Sequence, residues 1–131
     1  MRILQPPGWP RPRGYSNGIA AEGRLVFVAG QIGWDAAGTI VSDDLVAQLR
    51  QTLENTLAVL GQAGAGPEHV VRMTWYLTDR REYLARAREL GAVYRALMGR
   101  HYPAMAVVEV KALLEDRAKL EIETTAVVPS S

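Results

Sequence analysis

The sequence predicts an α+β domain in the order β-β-α-β-α-β-β, with a mixed sheet and two helices packed on one of its faces. Short stretches of period-two apolar alternation flank two longer stretches of helical periodicity. The length, 131 residues, suits one domain with its own core. Two β-α-β units require right-handed crossovers, and these put both helices on the same side.

Residues 5–14, Gln-Pro-Pro-Gly-Trp-Pro-Arg-Pro-Arg-Gly, exclude helix and central strand, because proline lacks the backbone donor that both use. Residues 1–14 are therefore expected as an extended Pro-rich arm and 15–131 as the domain. The arm is either a loose terminus or a strap that packs Trp9 and carries Arg11 and Arg13 towards a cleft. Residues 15–21 and 24–30 are expected to form a hairpin turning at Glu22-Gly23. The second of these strands is apolar on both faces (Leu25, Phe27 and Ala29 against Val26 and Val28), so burial on both sides is expected.

Ser42-Asp43-Asp44 has the oxygens to cap a helix and the acids that suit its positive end. Leu45, Leu49, Leu53, Leu57 and Leu60 then make one apolar face, and Gly64-Ala65-Gly66-Pro67 ends the helix. Residues 69–77 alternate as a strand, with Val71, Met73, Trp75 and Leu77 on one face. Asp79 with Glu82 suggests a capping box for a second helix, buried through Tyr83, Ala87, Leu90, Tyr94 and Leu97 and closed by Gly99. Strands are expected at 104–110 and 119–128, the last with Leu120 and Ile122 on one face and Glu121 and Glu123 on the other.

Arg72, Thr74, Tyr76, Met105, Val107 and Glu121 are assigned to the sheet face away from the helices. No third helix remains to cover it, and it is too apolar to stand wholly in water. Self-association is therefore expected from the pattern alone.

Composition narrows the function. The formal net charge of +1 gives no general field for nucleic acid or an anionic membrane. With no cysteine there is no thiolate nucleophile and no zinc-thiolate site. His69 and His101 lack metal-ligand spacing, so no metal is expected. No apolar run reaches the roughly 18 residues of a membrane helix, and the default expectation is a cytoplasmic protein.

Several segments are similar, in chain order, to motifs of the RidA (YjgF) family. Gly14-Tyr15-Ser16-Asn17-Gly18-Ile19 resembles its Pro-Tyr-Ser-Gln-Ala opening, and Val28-Ala29-Gly30-Gln31-Ile32 resembles Val-Ser-Gly-Gln-Ile. Residues 48–60 resemble its Gln-Thr-Arg-Gln-x-Leu-x-Asn helix, and Val70-Val71-Arg72-Met73-Thr74 a Val-Val-Lys-x-Thr strand. Residues 103–110, beginning Pro103-Ala104-Met105-Ala106, resemble Pro-Ala-Arg-Ser-x-Val-Glu-Val, and Leu120-Glu121-Ile122-Glu123 resembles Ile-Glu-Ile-Glu. The resemblance implies a chorismate-mutase-like homotrimer with clefts between subunits. It also implies hydrolysis of reactive imines and enamines without cofactor or metal, on a small-molecule metabolite, with no nucleic-acid or membrane partner.

Such a reaction needs a cation for the substrate carboxylate, a proton carrier, and polar groups that orient water. The family's arginine is replaced by Met105 and a family serine by Ala29. Losing a buried arginine contact costs about 3–5 kcal/mol, so 2-aminoacrylate is not an expected substrate. Tyr15, Gly30 and Gln31 remain as ligand-binding candidates, with Ala29, Trp34, Met105 and Val107 lining the cleft and making it apolar. Glu121 is the candidate catalytic acid or base, or else an inherited residue paired with Arg72 or Lys119. The competing expectations are a divergent imine or enamine hydrolase for a metabolite with an apolar body, and a ligand-binding trimer without chemistry. Ribonuclease activity, a label some relatives carry, has no support in a balanced charge and separated histidines.

Overall fold

A computed structural model describes residues 1–130. The chain folds as β1 (Arg2–Leu4), β2 (Gly18–Ala20), β3 (Arg24–Gln31), α1 (Leu45–Gln62), β4 (Val70–Leu77), α2 (Arg80–Ala85), α3 (Ala87–Met98), β5 (Ala104–Glu109) and β6 (Leu120–Val128). The main sheet has the order β3-β6-β4-β5, with β6 antiparallel to both neighbours and β4 parallel to β5. The helices cover one face, as the α+β reading requires.

α1 starts where Asp44 accepts a hydrogen bond from the Ala47 amide. Leu45, Leu49, Leu53 and Leu60 are buried against Met73, Trp75, Leu120 and Ile122 in one core. Gln48 is fully buried on the same helix and is answered on every side. Its Nε2 donates to the carbonyls of Ser42 and Arg117, and its Oε1 accepts from the Lys119 amide. One side chain thus fastens the start of α1 to the start of β6.

Asp79 caps α2 by accepting from the amides of Arg81 and Glu82. The reciprocal half of the expected capping box is missing, because the Glu82 carboxylate pairs with Lys119 at 2.9 Å. The expected second helix is two segments, α2 and α3, meeting at Arg86, whose side chain pairs with Asp44 and Glu89. Gly99 closes α3 with φ of 72°, a conformation that costs glycine little.

Three sequence expectations are corrected. The hairpin between residues 15–21 and 24–30 does not form: β2 pairs with β1, and β3 pairs with β6. The turn signal at Glu22-Gly23 suggests local pairing, but each strand finds a partner outside the segment. β3 is not buried on both faces, since Leu25 is 58% and Phe27 72% exposed in the single chain. Met105 and Val107 do not share a face with Arg72, Thr74 and Tyr76. They align with Met73 and Trp75 and so lie on the helix side, while Ala104, Ala106 and Val108 line the open face. Parallel register, which a single strand's alternation does not reveal, decides this.

Replacing Gln48 with leucine keeps the volume and removes three buried hydrogen bonds. Gln48→Leu is expected to destabilise the fold by on the order of 3 kcal/mol, read as a lower urea midpoint.

Candidate functional site

The candidate residues divide into two groups. The first gathers at the β5 edge. Tyr15, Arg13 and Gly14 from the end of the arm meet Tyr83 of α2 and Met105 and Val107 of β5 around a cavity of about 260 Å³. The arm is fixed there by its neighbour, because the Ser16 hydroxyl donates to the Tyr102 carbonyl and the Ser16 amide donates to Pro103. Gln5 steadies the arm from within, donating to the Trp9 and Pro10 carbonyls and accepting from Asn17. Trp9 itself is exposed, so the strap is held by polar contacts and not by packing of that ring.

Behind Met105 lies an inner cavity of about 100 Å³, walled by Trp75, Tyr83, Leu90, Gly91, Tyr94 and Arg95 among others. Trp75 meets Tyr83 edge-on at 6.3 Å, and Tyr94 stacks on Tyr102 at 5.7 Å. Burial raises the Tyr83 phenol above the usual tyrosine range and the Tyr94 phenol well above it, so both stay neutral. A third recess, beyond Tyr15 and Tyr102, is bordered by Arg11 and Arg100 with His101.

The second group sits beside β3. The β3–β6 register shifts between Val28 and Gln31, and this irregularity contains Ala29 and Gly30. A Cβ on Gly30 would overlap the Glu121 Oε2, so the carboxylate rests where only glycine leaves room. Glu121 is half-buried and makes no ion pair among the described residues. The alternative pairing with Arg72 or Lys119 is absent, and Lys119 is taken by Glu82. Gln31 turns back to the Ala29 carbonyl, and Trp34 stands partly exposed with its own carbonyl held by Asn55.

The groups are not together in one chain. β3 and β5 are the two outer strands of the sheet, with β6 and β4 between them. Two other acids of the sheet are engaged: Glu109 accepts from the Arg80 amide, and Glu123 accepts from the Tyr76 hydroxyl, which holds that phenol above its usual range. His101 contacts the Val70 carbonyl through Nε2 at 2.6 Å, a structural contact. Sequence reasoning missed Arg95 and Trp75 as site residues, because their convergence depends on how α3 packs on β4.

The family model described as Endoribonuclease L-PSP matches residues 10–128. A RutC family protein of Pyrococcus horikoshii is 40% identical over 119 residues, covering 89% of this chain and 90% of that protein. The 2-iminobutanoate/2-iminopropanoate deaminase of Salmonella typhimurium is 35% identical over 108 residues, 80% of each chain. Among solved structures, a member of the conserved Rid protein family from Yersinia pestis superposes with a TM-score of 0.82 at 33% identity, covering 97% of this chain and 98% of that one. TdcF of E. coli, solved with bound serine, gives 0.70 at 30% identity, covering 98% and 99%.

A Gly30→Ala substitution is expected to swing the Glu121 carboxylate from its seat, because a side-chain end yields more cheaply than backbone. A crystal structure of the variant checks this; an unmoved carboxylate beside a displaced β3 would contradict it.

Proposed function

The chain belongs to the RidA (YjgF) family, and on that footing we propose that it hydrolyses imines or enamines in clefts formed between copies of itself. The observation that carries the reading is the division of the candidate residues between opposite edges of one sheet. Tyr15 and Met105 at one edge and Gly30 and Glu121 near the other become one site only if the edge of one copy meets the opposite edge of the next. A homotrimer closes such a heterologous contact into a ring. The open face supports the same assembly, since Leu25, Phe27, Tyr76 and Val108 stand at least partly in water in the single chain and would be covered at its centre.

In the proposed reaction, water adds to the imine carbon, the carbon–nitrogen bond breaks and ammonia leaves. Glu121 carries the proton from water to the departing nitrogen. The Tyr15 hydroxyl and the backbone around Gly30 orient the water and the substrate. Met105, Val107 and Tyr83 favour a metabolite with an apolar body. The outer wall holds one cation, Arg13, on the exposed arm and not on the strand. A flexible, solvated guanidinium grips a carboxylate less well than a packed one, so small 2-imino acids are poor substrates. No cofactor enters this chemistry, and the cytoplasm, where pyridoxal-phosphate enzymes release such intermediates, is the proposed location.

Ammonia release from imines generated in situ tests the reading. Wild type is expected to act slowly on 2-aminoacrylate, and Met105→Arg to raise kcat/KM by about tenfold or more. Glu121→Gln is expected to abolish turnover of any substrate found while the protein still sediments as a trimer. Unchanged turnover would remove Glu121 from the mechanism, and a monomer at working concentration would remove the shared cleft.

A further inference from the structure

Tyr83 carries an oxygen that its packing does not use. Its ring meets Trp75 edge-on at 6.3 Å, and the Asp79 cap at the start of α2 sets it there. Phenylalanine would make the same contact and fill the same space without taking a hydroxyl out of water. Two other tyrosines satisfy their hydroxyls inside the chain. Tyr94 donates to the His101 carbonyl and Tyr76 to the Glu123 carboxylate. The Tyr83 hydroxyl has no hydrogen-bond partner among the described residues. It is not sealed either, since the buried side-chain atoms left without a partner are Trp75 Nε1 and Thr124 Oγ1. The oxygen is therefore reachable and unspent.

Its surroundings say what could reach it. Tyr83 is half-buried and lines both the outer cavity of about 260 Å³ and the inner one of about 100 Å³. Gly14 and Met105 are the other residues common to both walls. Glycine has no side chain and a thioether has no proton to give, so Tyr83 bears the one side-chain donor where the two spaces adjoin. Burial raises this phenol, which keeps it a neutral hydroxyl. The guanidinium groups on these walls, Arg13 and Arg95, belong to exposed side chains. An anion entering between Met105 and the aromatic rings would lose water without meeting a packed cation, whereas an uncharged acceptor loses far less.

We propose that the Tyr83 hydroxyl donates to an uncharged carbonyl oxygen, of an amide or a ketone, on the body of the ligand, and so selects neutral ligands over carboxylates. This rests on the cleft reading above and names its substrate class: an imine or enamine that carries an amide or ketone at a remove from the reacting carbon. Tyr15 serves the reacting end, Tyr83 holds the carbonyl, and the inner cavity takes the short apolar end beyond it.

Pentanamide is the probe, with pentanoate as its charged counterpart of equal length. The methyl resonance of Met105, in full-length protein with isotope-labelled methionine, reports binding on both sides of the shared wall. Pentanamide is expected to bind saturably and pentanoate more weakly. Tyr83→Phe is expected to weaken pentanamide about fivefold, to leave pentanoate unchanged, and to keep or raise the thermal midpoint. A tyrosine with a merely structural role would lower the midpoint and move both probes together. An unmoved Met105 resonance, tighter binding of pentanoate, equal pentanamide affinity in Tyr83→Phe, or a loss confined to Tyr15→Phe would overturn the proposal. The assay needs no turnover. A protein that binds pentanamide through Tyr83 yet releases no ammonia from any imine upholds the contact and sinks the hydrolase reading alone.

Discussion

Three helical segments cover one side of a four-stranded sheet and leave the other bare. Everything else in the molecule answers to that constraint. The covered side takes the leucines of α1 and the aromatic cluster of α3, and its interior is closed by Gln48, whose amide answers three backbone groups that would otherwise be stranded. The bare side keeps Phe27 and Leu25 in the open and gives the acidic strand β6 a mixed, half-wetted surface. The packed core thus lies on one face alone.

The same arrangement explains where room for a ligand arises. A well-packed domain leaves few voids, so cavities mark places where large residues have been withheld. Gly30 leaves space for a carboxylate and Gly91 for a guanidinium. Both stand where a backbone passes close to a charged side chain, and in neither case does a positive φ require the glycine. Met105 adds a flexible, polarizable wall to the cavities at the β5 edge.

Much of the fold was legible in the sequence, because its signals are local. The leucine repeat of α1, the Asp44 and Asp79 caps, the Gly99 stop and the alternation of β4 and β6 each act over a few residues, and each stands as expected. Signals that depend on partners were not legible. Which strand β2 pairs with, and which face Met105 takes, are settled by register with a distant strand. The motif residues Tyr15, Gly30, Gln31, Met105 and Glu121 could be chosen from the chain, but their separation across the sheet could not. Arg95 and Trp75 carry no motif, and only the crossing of α3 over β4 brings them to one wall.

The placement of the two half-sites at opposite margins has a genetic consequence. Under the proposed ring, each polypeptide contributes to two different seams, one through each margin. Two defective alleles, one damaged at Tyr15 and the other at Glu121, would therefore complement when co-expressed, since a mixed ring contains a seam built from two sound margins. Conversely, a single doubly damaged polypeptide spoils two seams of any ring it joins and behaves as a dominant lesion.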